Sequence, residues 1–126
     1  MIVGIGIDVI DLARVSRLLA SKGDRVIKRL FTTQEAEFVA RRTDPVRHFA
    51  ARLAAKEAAF KALAGNELAR GIGWRDIEVV REESHPALIL HGRAGRRAEE
   101  LGLSRSWLTL THSAMTAAAF VVLERD

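Results

Sequence analysis

The first ten residues alternate in polarity and size. Val3, Ile5, Ile7 and Val9 fall on one face of an extended chain, and Gly4, Gly6 and Asp8 fall on the other, between Ile2 and Ile10. The pattern predicts a strand over residues 2–10 whose second face carries no side-chain bulk before its carboxylate. A ligand or a packed neighbour can therefore approach that backbone closely. The period then becomes helical. Val15, Leu18 and Leu19 form the inner face of a helix over residues 12–21, with Asp11 as its cap and Gly23 as its stop. Thr32-Thr33-Gln34-Glu35 has the form of a capping box and predicts a short helix to about residue 42.

The longest helical run covers residues 49–63, and its alanines and leucines favour helix strongly. Pro45 after Asp44 suits its start, and Gly65-Asn66 its end. Phe49, Leu53, Phe60, Leu63 and Ala64 fall on one stripe, with Lys56 inside it and Glu57 at its edge. Burying such charges is costly unless they are paired or hold an ion. Glu57 and Lys61 are one helical turn apart and can face a single site, although a surface pair would have the same spacing.

Further on, residues 76–82 and 87–91 read as strands joined by the turn Glu83-Ser84-His85-Pro86. A helix over residues 93–101 ends at Gly102. Strands over residues 107–112 and 117–123 are joined by a hairpin at 113–116, and the last strand has little polar patterning, as expected if both of its faces are buried, within the chain or against another subunit. The predicted order is one strand, three helices, two strands, a helix and two strands. It lacks βαβ alternation, so the expected class is α+β with an antiparallel sheet, in one domain spanning residues 1–126.

Composition narrows the function. No apolar run approaches a membrane span, and Asp8 interrupts the apolar start, so neither a signal peptide nor a membrane role is expected. The absence of cysteine excludes disulfides and thiolate chemistry and fits a cytoplasmic protein. The net charge of +4 implies an acidic partner. Arg14, Arg17, Lys22, Arg25, Lys28 and Arg29 follow one another closely, and Arg14 and Arg17 share a helical face. A solvated face and a docking surface both fit that run. A nucleic-acid module would explain it but would leave Asp8 and Glu57 unexplained.

Asp8 on a bare strand and Glu57 on an apolar helix can hold one hard cation if the two elements pack together. Mg²⁺ is commonly held by one or two carboxylates, with phosphates and water completing its shell. Arg52, Lys56 and Lys61 on the same helix can neutralise phosphate. His112 lies between a strand and a turn, where a structural histidine and a site edge are both possible.

Three blocks in order resemble the holo-[acyl-carrier-protein] synthase family of 4′-phosphopantetheinyl transferases. They are Gly4-Ile5-Gly6-Ile7-Asp8-Val9-Ile10, the stretch from Arg52 through Lys56-Glu57 to Lys61-Ala62, and Leu110-Thr111-His112 with the small apolar strand after it. Residues 74–79 match the family's Trp-x-Asp-Ile-Glu-Val strand. The resemblance implies transfer of phosphopantetheine from coenzyme A to a serine of apo acyl-carrier protein, leaving adenosine 3′,5′-bisphosphate and serving fatty acid biosynthesis. It implies that Asp8 and Glu57 hold Mg²⁺, that Lys61 contacts phosphate, and that Arg52 and His112 line the coenzyme A cleft; Glu57 and Lys61 are the expected catalytic residues, Glu57 as base for the serine, directly or through a metal-bound water. It implies a homotrimer with coenzyme A between subunits, and carrier-protein docking on Arg14, Arg17 and Arg25. Nucleic acid is not an expected partner. The chain departs from the family pattern at Leu63-Ala64-Gly65-Asn66-Glu67, where a Gly-Thr-Gly turn is usual.

Overall fold

The chain runs β1 (Ile2–Asp11), α1 (Leu12–Lys22), α2 (Asp24–Leu30), α3 (Thr33–Ala40), α4 (Pro45–Leu63), α5 (Glu67–Arg70), a 3-10 turn (Trp74–Asp76), β2 (Ile77–Glu82), β3 (His85–Leu90), α6 (Gly92–Leu101), β4 (Arg105–His112) and β5 (Thr116–Glu124). These elements come from a computed structural model that describes residues 1–82 and 84–126. The fold is α+β, as expected, but its antiparallel strands form two sheets: β1-β5-β4, with β5 central, and β2-β3. Ile7 pairs with Phe120, and Phe120 pairs in turn with Thr109.

α4 lies against one face of the three-stranded sheet. Phe49, Leu53, Leu63 and six alanines of this helix are buried, as are Ile10, Ala117, Ala119, Val121 and Leu123 of the sheet. The helix boundaries follow local chemistry. Asp44 accepts a hydrogen bond from the Arg47 amide, with Pro45 in the first helical position. Thr32 and Glu35 form the anticipated capping box. Gly102, at φ +68°, ends α6 in the left-handed region.

Several expectations change. Asp11 makes no side-chain cap to α1; the Leu12 amide instead donates to the carbonyl of Met115, at 2.9 Å, in the β4–β5 hairpin. Gly23, at φ +53°, ends α1, and a second helix, α2, follows it at once, so Arg25 stands on a different helix from Arg14 and Arg17. The loop after α4 contains α5, whose first turn is capped by Asn66 through the Ala69 amide at 2.9 Å. Phe60 and Ala64 are exposed rather than part of the core stripe. In the single chain β5 alternates between buried and partly open residues. α4 covers one side of the sheet; on the other, Ile5, Ile7, Val9, Trp107 and Phe120 are open to solvent in the single chain. Of the anticipated turn at 83–86, Glu83 lies outside the described residues, and His85 and Pro86 already belong to β3.

Candidate functional site

The bare face of β1 is filled by the backbone of α4. A Cβ on Gly4 would lie 2.1 Å from the carbonyl oxygen of Ala62, and one on Gly6 would lie 1.8 Å from that of Ala58. No side chain fits at either position, so the glycines serve helix packing. Asp8 is the next residue on that face, and Glu57 of α4 lies beside it.

The Asp8 side chain is largely buried. Its Oδ1 accepts a hydrogen bond from Lys61 Nζ at 3.1 Å, and the same ammonium donates to the carbonyl of Ile7 at 2.9 Å. Among the described residues, Asp8 Oδ2 is buried without a hydrogen-bond partner when both carboxyls are ionised. Burial and the adjacent Asp8 carboxylate push the Glu57 carboxyl up to about 7, against the opposing pull of Arg14 and Lys61. Two adjoining carboxyls, one of which keeps its proton and donates it to the other, are an arrangement that a hard cation relieves by replacing that proton. No cluster of three or more potential metal ligands occurs among the described residues. Two protein carboxylates, with the rest of the shell left to other oxygens, suit Mg²⁺ and do not suit a cation that needs a full protein cage.

A cleft of about 370 Å³ opens beside this pair. Two stretches of chain line it: Lys56, Glu57, Phe60 and Lys61 from α4, and Arg70, Ile72, Gly73, Trp74 and Ile77 from the segment that leads from α5 into β2. Its apolar walls and convergent charges fit a long ligand with an anionic end. The Lys56 ammonium is buried within it and pairs with Glu35 at 2.7 Å. The loop that departs from the family pattern is held from outside by α6. Arg97 donates to the carbonyls of Leu63 at 2.7 Å and Ala64 at 3.1 Å, and Arg93 donates to that of Leu68 at 3.3 Å.

The structure brings Asp8, Glu57 and Lys61 together and sets Arg14 within electrostatic reach of Glu57. It does not bring Arg52 to them. Arg52 is buried on another side of α4, its guanidinium 4.2 Å from the centre of the Phe38 ring, with that of Arg42 at 3.9 Å from the same ring. Burial pushes the Arg52 guanidinium below its ordinary range; Arg42 and Arg81 act in the same sense and Glu35 opposes them. His112 is exposed at the end of β4, on the same sheet face as Asp8 but two residues further along and two strands across. Arg14, Arg17 and Arg25 are all exposed. Sequence reasoning assigned no site role to Phe60, Arg70, Ile72 or Trp74. Phe60 was misleading because its spacing fits the apolar stripe; Trp74, an exposed aromatic next to glycine, was the available signal.

The 4′-phosphopantetheinyl transferase superfamily model matches residues 4–119. The holo-[acyl-carrier-protein] synthase of Leifsonia xyli subsp. xyli is 49% identical over 127 residues, covering 100% of this chain and 99% of that protein. The crystal structure of the Neisseria meningitidis holo-[acyl-carrier-protein] synthase superposes with a TM-score of 0.87 at 31% identity, covering 99% of this chain and 100% of that one. The Bacillus anthracis enzyme, solved in complex with CoA (3′,5′-ADP), gives a TM-score of 0.79 at 32% identity, over 100% of this chain and 99% of that one. With matched motifs, a full-length fold and relatives of this identity, the chain belongs to the holo-[acyl-carrier-protein] synthase family of the 4′-phosphopantetheinyl transferase superfamily.

Proposed function

We propose that this protein is a magnesium-dependent holo-[acyl-carrier-protein] synthase that works in the cytoplasm as a homotrimer. It transfers the 4′-phosphopantetheine arm of coenzyme A to a serine of apo acyl-carrier protein, giving the holo carrier and adenosine 3′,5′-bisphosphate. The observation that supports the catalytic assignment is the Asp8–Glu57 carboxylate pair beside Lys61 at the mouth of the cleft.

Asp8 and Glu57 would hold the Mg²⁺, which when bound supplies charge to neutralise the diphosphate of coenzyme A. Glu57 is the acidic residue among those that line the cleft, and its carboxylate takes the serine proton, directly or through a water. The serine oxygen forms a bond to the phosphorus next to pantetheine, and the bond from that phosphorus to the bridging oxygen breaks. The departing nucleotide carries the new negative charge. Lys61 uses one ammonium proton on Ile7 and one on Asp8, which leaves a third to meet that charge. Positioning and charge neutralisation supply most of the catalysis in such transfers.

His112, exposed at the end of β4, is assigned to coenzyme A in the assembled trimer; within one chain neither it nor the buried Arg52 lines Lys61's cleft. Support for the trimer is the apolar sheet face of Ile5, Ile7, Val9, Trp107 and Phe120, larger than scattered exposed residues would make. The exposed arginines Arg14, Arg17 and Arg25 are assigned to the acidic carrier. The test is to incubate the protein with coenzyme A, Mg²⁺ and apo carrier protein and weigh the carrier. The expected result is a mass gain of one phosphopantetheine arm. No gain across a range of carriers would overturn the assignment in favour of a binding module.

A further inference from the structure

We propose that Lys56 is a positioning residue for the transfer, fixing the wall of the cleft that shares its lining with Glu57 and Lys61. The inference rests on the assignment of that cleft to coenzyme A. The cleft is lined by two separate stretches of chain, one from α4 and one from the segment that leads from α5 into β2. Lys56 is the side chain that bonds the first to the second. Its ammonium donates to the carbonyl of Trp74 at 2.9 Å and to that of Ile77, the first residue of the 3-10 turn and the residue after it. Its third proton meets Glu35 Oε1 at 2.7 Å, so every donor is used.

Glu35 extends the tie. Its carboxylate accepts from the Thr32 amide and from the Val79 amide, each at 2.9 Å. Thus α3, α4, the 3-10 turn and β2 all meet at one wholly buried ion pair. Stability alone does not call for such a pair, because apolar residues of similar volume often replace one without loss. An apolar side chain at this position would fill the space but could not hold two carbonyls at fixed points. What the ammonium adds is the placement of Trp74 relative to Glu57, its own neighbour in sequence. Lys56 touches neither reacting group, so it acts through the wall.

The variant that removes both charges, Lys56→Met with Glu35→Gln, tests the role without leaving an unpaired buried charge. It is expected to unfold cooperatively as the parent does. Affinity for coenzyme A, measured by calorimetry, and the KM for coenzyme A are expected to weaken about tenfold or more, while kcat at saturating coenzyme A falls less and the KM for the carrier holds. Hydrogen exchange should quicken in residues 70–77 and stay parental in β1 and β5. Lys56→Arg keeps the charge and guards against a double variant that does not fold; it is expected to recover part of the affinity. A folded double variant, or a Lys56→Arg enzyme should the double variant not fold, with parental coenzyme A affinity and unchanged exchange at 70–77, overturns the positioning role. A parent protein that itself gives no heat with coenzyme A overturns the cleft assignment instead, and the exchange measurement tells the two failures apart.

Discussion

Asp8 and Glu57 belong to two elements whose backbones touch, and the carboxylate of Asp8 makes that of Glu57 harder to ionise. The two facts share a cause. Gly4 and Gly6 let α4 settle onto β1, and the first side chain beyond that bare stretch is then held against the helix. The proposed site for a hard cation thus arises from a packing device.

Asp8→Asn keeps the shape of the side chain and removes one charge from the pair. Turnover is expected to fall by about two orders of magnitude or more, with partial recovery at high Mg²⁺ or with Mn²⁺. Circular dichroism should show the fold retained. Near-normal turnover in limiting Mg²⁺ would return Asp8 to a structural role.

Without metal, the stability of the protein should depend on pH through Glu57. Its carboxyl is raised from 4.5 to about 7 in the folded chain, so between those values the folded state binds more protons than the unfolded state. Stability in chelator should therefore fall as pH rises from about 4.5 to 7, and Glu57→Gln should flatten that slope. Urea titrations at several pH values measure both. A wild-type curve that rises through this window contradicts the assignment.

Two glycine substitutions should part sharply. Gly6→Ala drives a methyl toward the Ala58 carbonyl, 1.8 Å from its ideal place, and is expected to cost about 3 kcal/mol or more. At Gly73 the nearest atom is Asp76 Oδ2 at 3.5 Å, an ordinary contact, and Gly73→Ala should stay within about 1 kcal/mol of the parent. Denaturant unfolding decides. Equal effects would mean that β1 and α4 are not in the contact described.

Arg17 separates docking from chemistry better than Arg14 does. Arg14 lies close enough to Glu57 to pull its carboxyl down, and Arg17 stands three residues further along α1. Arg17→Glu is expected to raise the KM for the carrier severalfold, to steepen no dependence on coenzyme A, and to weaken the salt sensitivity of the reaction. Arg14→Glu should change the pH profile as well. Unchanged carrier kinetics in Arg17→Glu would make this helix a solvated face.

The outer face of the three-stranded sheet gives an assembly test. Ile7→Glu places a charge in the middle of the apolar patch and should dissociate the trimer with loss of activity. Light scattering on the parent is expected to return three chains; an active parent that runs as a monomer would sink the assignment.

The elements with strong local signals were legible in the sequence. Asp44-Pro45, the Thr32–Glu35 box and Gly102 each mark a helix end through a bond or a dihedral that needs no distant partner. The short helices α2 and α5 were not, because a run of seven or four residues has too little period to show and their stability comes from packing. Phe60 fits the helical stripe yet is open, since Trp74 and Ile72 turn that side of α4 into a cleft wall. The pairing of Asp8 with Glu57 was anticipated as a condition, that the strand and helix pack, and the glycines carried the hint. The burial of Arg52 beneath Phe38 depends on α3, whose placement no spacing in the sequence encodes.

β1 has its hydrogen-bonding partner at the far side of the sequence, Ile7 against Phe120 and Asp8 against Ala119. Such non-local pairing is slow to form, because a long loop must close before the contact repays it. Helices α1 to α4 can gather early, carrying Glu57 and Lys61 in place, while the strand that bears Asp8 gains its sheet only when β5 docks. A chain still emerging from the ribosome holds Asp8 and Glu57 but lacks the sheet partner that anchors Asp8, so the proposed cation site is not yet fixed. The order in which the polypeptide is made delays activity until the last strand is in register.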